Sequence, residues 1–310
     1  MSPAIQTVDL CKRFGECIAV DGLCLTVRAG EMFGLVGPDG AGKTTTLRML
    51  CGILAPASGR ATLLGHDIVS EPAKAKRQIG YLSQRFSLYG DLTVDENIEF
   101  FAQIHGVYNL RALREELLAF TRLTPFRDRL AEHLSGGMKQ KLALACSLIQ
   151  SPNLLLLDEP TTGVDPVSRR EFWKILHRVM QRGITVLMTT PYLDEAERCT
   201  RVGLMNKGRL MAIDSPQNLK RSMEGDMLEI VCEPVKKAFQ ALRQLLQPQD
   251  VQAFGDRLHV RARNPARDFP PMQAALSSAG VRVQTWRVVP PSLEDVFISL
   301  LPANPPKQAQ

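Results

Sequence analysis

Nothing in the 310 residues resembles a membrane span, because no stretch approaches the roughly 18 consecutive apolar residues that a bilayer core demands. The N-terminus has no charged segment followed by an apolar one, so no secretory leader is expected. Seven cysteines occur, at 11, 17, 24, 51, 146, 199 and 232, without paired spacing or a Cys-x-x-Cys. That argues against a disulfide framework and for small apolar roles in a reducing compartment. The five histidines are scattered and suggest no metal centre. Basic residues outnumber acidic ones, 38 to 32, for a net charge of +6, yet no basic block forms a nucleic-acid stripe. No nucleic-acid partner is expected; polyanionic ligands or an anionic lipid surface are. What is present is an ordinary globular composition, 45% hydrophobic and 23% charged, long enough for one or two domains. The expected setting is the cytosol, or attachment to something that spans a membrane.

One stretch organises the rest. Gly37-Pro38-Asp39-Gly40-Ala41-Gly42-Lys43-Thr44-Thr45 fits G-x-x-x-x-G-K-[ST], with a buried strand ending in Leu35-Val36 before it and an amphipathic helix start after it. Glycines let the backbone curl around an anion, and N–H groups converge on it at the positive end of the helix. Lys43 then reaches the β- and γ-phosphates of a nucleotide, and the Thr44 hydroxyl is placed to ligate Mg²⁺. Farther on, Leu154-Leu155-Leu156-Leu157-Asp158-Glu159 reads as an apolar strand ending in two acids. Asp158 would close the strand beside the phosphate loop and hold Mg²⁺ through water. Glu159 would point the other way and polarise a water for in-line attack.

Before the phosphate loop, short β-like runs are expected at Ala4–Leu10, Ile18–Val20 and Leu23–Val27. Phe14 lies between them, where its ring could stack on an adenine; read alone, a surface Phe is more often a packing residue. Ile79-Gly80-Tyr81-Leu82-Ser83-Gln84 reads as a strand ending in a polar residue, where Gln84 could touch metal or water. Thr93 to Gln150 is helical in pattern, and Leu134-Ser135-Gly136-Gly137 opens a second anion-ready helix with Ser135 at its N-cap. A buried strand Ile184–Thr190 leads to Pro191-Tyr192 and an acidic helix. From about Asp226 the character changes to strand, helix, two strands, a helix over Pro271–Ala279, a strand and a closing helix, a small βαββαβ module. The tail from Pro302 is rich in Pro and Gln and is expected to be disordered.

These motifs, in this order, resemble the ATP-binding subunits of ABC transporters over essentially the whole chain. The resemblance implies an α/β fold: a P-loop (RecA-like) ATPase core with a mixed sheet and an inserted α-helical subdomain at about 90–150. The ATPase domain would span 1–222 and a small α+β domain 226–301. It implies Gln84 as the glutamine-loop residue and Phe14 at the adenine-stacking position, usually Tyr. Ser135, Gly136 and Gly137 would contact the γ-phosphate of ATP bound to the opposite subunit, and Asp165 would lie in a loop crossing the dimer interface. The expected cofactors are ATP and Mg²⁺, the latter held by Thr44, Gln84 and Asp158. Tyr192-Leu193-Asp194-Glu195-Ala196-Glu197 and Pro291-Ser292-Leu293-Glu294-Asp295-Val296-Phe297 are similar to the ABC-2-type exporters, including drug and antibiotic efflux ATPases. The Gly-Pro-Asp-Gly form of the loop resembles the amino-terminal half of tandem two-ATPase subunits. The implied partners are ABC-2-type membrane permease subunits and a second ATP-binding subunit, a non-identical one being favoured over a second copy. The implied location is peripheral, on the cytoplasmic face of the inner membrane.

One departure stands out. The family places a histidine after the Ile184–Thr190 strand to contact the γ-phosphate and the attacking water; here that position is Pro191, with no side-chain donor and no N–H. The expectation is a site that binds ATP and turns over slowly, unless Thr189 or Thr190 substitutes or Glu159 suffices. Phe86, Leu88 and Tyr89 form an apolar cluster where the family receives a permease helix, so Phe86→Glu or Tyr89→Glu is expected to uncouple transport. Other readings are an ATP-binding regulatory subunit, a soluble ABC protein of translation or DNA repair, and an importer ATPase.

Overall fold

The computed structural model describes residues 2–84 and 88–301. Phe86 and the tail from Pro302 therefore lie outside the described residues. The chain begins with β1 (Pro3–Phe14) and β2 (Cys17–Arg28), each 12 residues long and paired antiparallel. The short separate runs expected here are in fact one continuous hairpin. Register shifts after Thr7 and Leu10 interrupt the in–out alternation, and Asp9 at φ 46° marks the irregularity. β3 (Met32–Val36) follows, all five residues buried, then α1 (Lys43–Leu50). β4 (Ser58–Leu63) and β5 (His66–Asp67) complete a four-stranded sheet in the order β2-β1-β4-β5.

After α2 (Pro72–Lys76), β6 (Ile79–Leu82) enters the second sheet. The helices α3 (Val94–Ile104), α4 (Leu110–Thr121) and α5 (Gly136–Leu148) then occur in succession, as the periodicity predicts. Thr93 and Glu96 form a reciprocal capping box at the start of α3, which satisfies N–H groups that have no partner inside the helix. β7 (Leu154–Asp158), α6 (Pro166–Gln181), β8 (Thr185–Thr190), α7 (Leu193–Ala196), β9 (Arg201–Asn206) and β10 (Arg209–Asp214) complete this part. The six-stranded sheet has the order β10-β9-β3-β8-β7-β6, with the pairs from β9 to β6 all parallel. β3, β7 and β8 are buried throughout, which explains their near-continuous apolar runs. Parallel pairing brings the carboxyl ends of β3 and β7 to one edge of the sheet, with the end of β8 between them.

The chain divides into two compact units, one ending at Ile213 and the next beginning at Asp214. The break precedes the change in character at Asp226 because α8 (Pro216–Arg221) packs on the last helix of the second unit. That unit contains β11 (Asp226–Glu233), α9 (Val235–Leu245), β12 (Val251–Phe254), β13 (Arg257–Ala262), α10 (Pro265–Ser278), β14 (Arg282–Val289) and α11 (Leu293–Ser299). Its antiparallel sheet, in the order β12-β13-β11-β14, is a split βαβ arrangement. Leu228, Ile230 and Val260 of the sheet pack with Leu242, Phe269 and Leu276 of the helices. α10 starts six residues before the expected Pro271, because Asn264 caps it and Pro265 occupies its first turn.

Candidate nucleotide site

Gly42 is the N-cap of α1, and its φ of 104° is open to glycine and strained for any other residue. No side chain caps this helix, so its first N–H groups have neither an internal partner nor a side-chain acceptor. Above it lies a cleft of about 650 Å³, lined by Phe14, Ile18, residues 39–45, Gln84, Glu159 and Lys207. Phe14 is 49% exposed at the hairpin end, its ring 5.4 Å from the Lys12 ammonium. Gly37 and Pro38 lie behind the cleft, their carbonyls accepting from Lys43 Nζ at 2.8 and 3.0 Å.

Lys43 is buried, and burial of an ammonium demands a counter-charge. Glu159 supplies it: Oε1 lies 3.2 Å from Lys43 Nζ, while Oε2 accepts from Gln84 Nε2 at 3.0 Å. This corrects the expectation that Glu159 points the other way. A left-handed backbone, φ 48°, turns its side chain back over the phosphate loop. Next to it, Asp158 Oδ1 accepts from Thr44 Oγ1 at 2.9 Å and from Thr189 Oγ1 at 2.8 Å. Asp158 Oδ2 is buried with no hydrogen-bond partner among the described residues. Burial pushes the Asp158 carboxyl above its ordinary range, against the hydrogen bonds from Thr189 and Thr44. An orphaned carboxylate oxygen beside a threonine hydroxyl is a donor set that fits a small, hard divalent cation.

The two threonines after Asp158 in the sheet order are both engaged. Thr189 Oγ1, besides donating to Asp158, accepts from the Glu159 N–H at 2.9 Å. Thr190 Oγ1 donates to Glu195 Oε2 at 3.0 Å and accepts from the Tyr192 N–H at 3.0 Å. Both hydroxyls thus donate to carboxylates of the same chain.

Ser135, Gly136 and Gly137 do not line this cleft. Ser135 Oγ caps α5 by accepting from the Met138 N–H at 3.3 Å. A Cβ at Gly137 would overlap Ser168 of α6, so packing inside the chain demands glycine there. At Gly136 an added Cβ would meet only the Gly163 carbonyl, at 3.8 Å, so nothing inside the chain requires it. Asp165 also lies away from the cleft; its Oδ1 caps α6 by accepting from the Val167 and Ser168 N–H groups at 3.1 and 2.9 Å. Ile18 and Lys207 line the cleft without having been singled out in the sequence. Lys207 sits at φ 48° in the Lys207-Gly208 turn.

Comparison with known proteins matches the chain to a family. A family model described as ABC transporter covers residues 20–162, and one described as the C-terminal domain of DrrA1-3-like ATP-binding proteins covers 215–301. The daunorubicin/doxorubicin resistance ATP-binding protein DrrA of Streptomyces peucetius is 37% identical over 305 residues, 96% of this chain and 92% of that protein. The chain belongs to the ABC transporter ATP-binding proteins. The probable multidrug ABC transporter ATP-binding protein YbhF of Escherichia coli (strain K12) is 44% identical over 225 residues, 72% of this chain and 39% of that protein. The chain thus spans well under half the length of that relative. Among solved structures, cbiO1 of Clostridium perfringens, described as part of the ABC transporter complex cbiONQ, superposes with a TM-score of 0.66 at 27% identity. That match covers 72% of this chain and 92% of cbiO1. This ABC transporter ATP-binding protein accordingly has a nucleotide-binding cassette followed by a DrrA-like C-terminal domain.

Proposed function

We propose that the chain is the ATP-hydrolysing motor subunit of an ABC-2-type exporter, driving efflux through a separate membrane permease. The observation that carries the reading is the convergence of Lys43, Thr44, Asp158, Glu159 and Gln84 on one cleft over the uncapped start of α1. ATP would lie with its phosphates on the α1 N–H groups and its adenine against Phe14. Lys43 exchanges its contact with Glu159 for the β- and γ-phosphates. Glu159, released, holds the attacking water and accepts its proton. Thr44, Asp158 and Gln84 would hold Mg²⁺, which neutralises charge on the phosphate oxygens. Gly136, free of internal constraint, suits close approach by the triphosphate of a second ATP-binding subunit, and Asp165 would face that subunit.

Turnover at this site is slow in the proposal, because Pro191 supplies no donor and Thr189 and Thr190 are already engaged. Loss of one positioned transition-state donor costs about 3 kcal/mol. Drug resistance in the name of the Streptomyces peucetius relative supports export as the direction. The decisive experiment is Mg-ATP binding and hydrolysis by the purified chain beside Lys43→Ala. Micromolar-range binding abolished by the substitution is the expected result, and equal binding by both proteins would overturn the assignment.

A further inference from the structure

Glu195 is a carboxylate with 1% exposure on the four-residue helix α7, and it does not line the nucleotide cleft. Burying a carboxylate is costly unless it is paired and hydrogen-bonded. Here the bonds come from separate parts of the chain. Thr161, buried in the loop between Glu159 and Asp165, donates its hydroxyl to Glu195 Oε1 at 2.6 Å and lies 2.8 Å from Oε2. Thr190, the last residue of β8, donates to Oε2 at 3.0 Å. Arg169 of α6 places Nε 3.4 Å from Oε1, near enough for charge attraction though not aligned as a hydrogen bond. The same guanidinium lies 4.7 Å above the Tyr192 ring. Both residues flanking Pro191 are therefore held: Thr190 through Glu195, and Tyr192 through Arg169. Arg169 belongs to the helix that Asp165 caps, and its N–H bonds the Asp165 carbonyl at 2.9 Å.

We infer that Glu195 is a positioning residue that locks the Pro191 segment to the Thr161–Asp165 loop, so that the strand end beside the nucleotide and the loop leading to Asp165 move as one body. A buried network of hydrogen bonds and a charge contact is suited to this, since its members hold one another in a single geometry. The inference rests on the reading of the cleft as an ATPase site. It assigns Glu195 no contact with ATP; its effect passes through Thr161 and Thr190.

The test uses the full chain as wild type, Glu195→Gln, Thr161→Val, Thr190→Val and the double valine variant. Three quantities are measured: Mg-ATP affinity, turnover, and backbone amide exchange over residues 161–165. Glu195→Gln is expected to lower kcat about tenfold with affinity held within about twofold, the mark of lost positioning rather than lost binding. Each valine variant should lower kcat, and the double variant should fall short of the product of the two, because both act through one carboxylate. Amide exchange over 161–165 should rise in all four. The valine variants keep side-chain volume and preserve the test if Glu195→Gln fails to fold. Wild-type kcat in every variant, or kcat and affinity falling in proportion, would overturn the inference and leave the ATPase reading standing. A wild-type chain without affinity for Mg-ATP would overturn both.

Discussion

Pro191 follows the one strand that separates the phosphate loop from Asp158 and Glu159, so its chemistry bears on both. A histidine there would restore a donor beside the scissile phosphate. Pro191→His is expected to raise kcat by about ten- to a hundredfold, the inverse of removing a positioned donor. Steady-state ATPase assays of the two proteins decide it, and no gain would mean that Glu159 and its neighbours already suffice. The Lys43–Glu159 pair leads to a second residue-scale expectation. Glu159→Gln removes the anion that competes with phosphate for Lys43, so Mg-ATP should bind at least as tightly as to wild type. The same change removes the proton acceptor, and turnover should drop by about 10²–10⁴-fold. Equilibrium binding together with single-turnover hydrolysis separates the two effects.

Among the elements, α11 is fixed by a titratable contact. Asp295, fully buried, closes the capping box with Ser292 and lies 3.0 Å from His259 Nδ1 on β13. His259 also faces Glu229 at 3.8 Å, which itself pairs with Arg257 and Arg287. The hydrogen bond to Asp295 is the main cause that raises the His259 pKa above its ordinary 6.5. Burial pushes Asp295 up, yet the bonds from His259 and Ser292 together hold it below its ordinary 3.8. A raised histidine stabilises fully below its unfolded value and loses that contribution as pH rises through the folded one. A depressed carboxylate stabilises above its unfolded value and loses it as pH falls. The second unit should therefore be most stable between the ordinary carboxylate and imidazole values and weaken as pH rises from 6.5 through the raised His259 value, a slope that His259→Gln should flatten. Thermal unfolding followed by Trp286 fluorescence in a Trp173→Phe background reads this directly. Sequence patterning revealed such elements unevenly. The buried strands and the helices between Thr93 and Gln150, with the Ser135 cap, were legible, because apolar runs, helical periodicity and caps are local signals. The β1–β2 hairpin was not, because its register shifts break the period of two, and the start of α10 was not, because Pro270 and Pro271 looked like a beginning. The phosphate loop and the acids were legible as motifs. The Lys43–Glu159 contact, the engagement of Thr189 and Thr190 and the burial of Glu195 depend on strands far apart in sequence, and no pattern encodes them.

At the scale of the whole molecule, none of the described helices is long and apolar enough to cross a membrane, so an export reading requires a docking surface. On the export reading, a groove of about 290 Å³ lined by Ile53, Tyr81, Leu88, Phe101 and His105 is where an apolar helix of a permease would dock. Tyr89 stands beside it, 46% exposed and packed edge-on against Phe100 at 4.5 Å. Ile53→Glu or Tyr89→Glu should abolish transport in reconstituted vesicles and leave Mg-ATP affinity within about twofold, since neither residue lines the nucleotide cleft. The separation of Ser135 and Gly136 from that cleft has a consequence for kinetics. If each triphosphate needs a glycine-rich edge from a neighbouring polypeptide, a solitary chain is half an instrument. Hydrolysis per polypeptide should then climb in proportion to protein concentration when dilute, the total rate being second order, and level off once pairs predominate. A rate strictly proportional to concentration across that range would mean that one polypeptide is enough; otherwise dilution alone silences the enzyme.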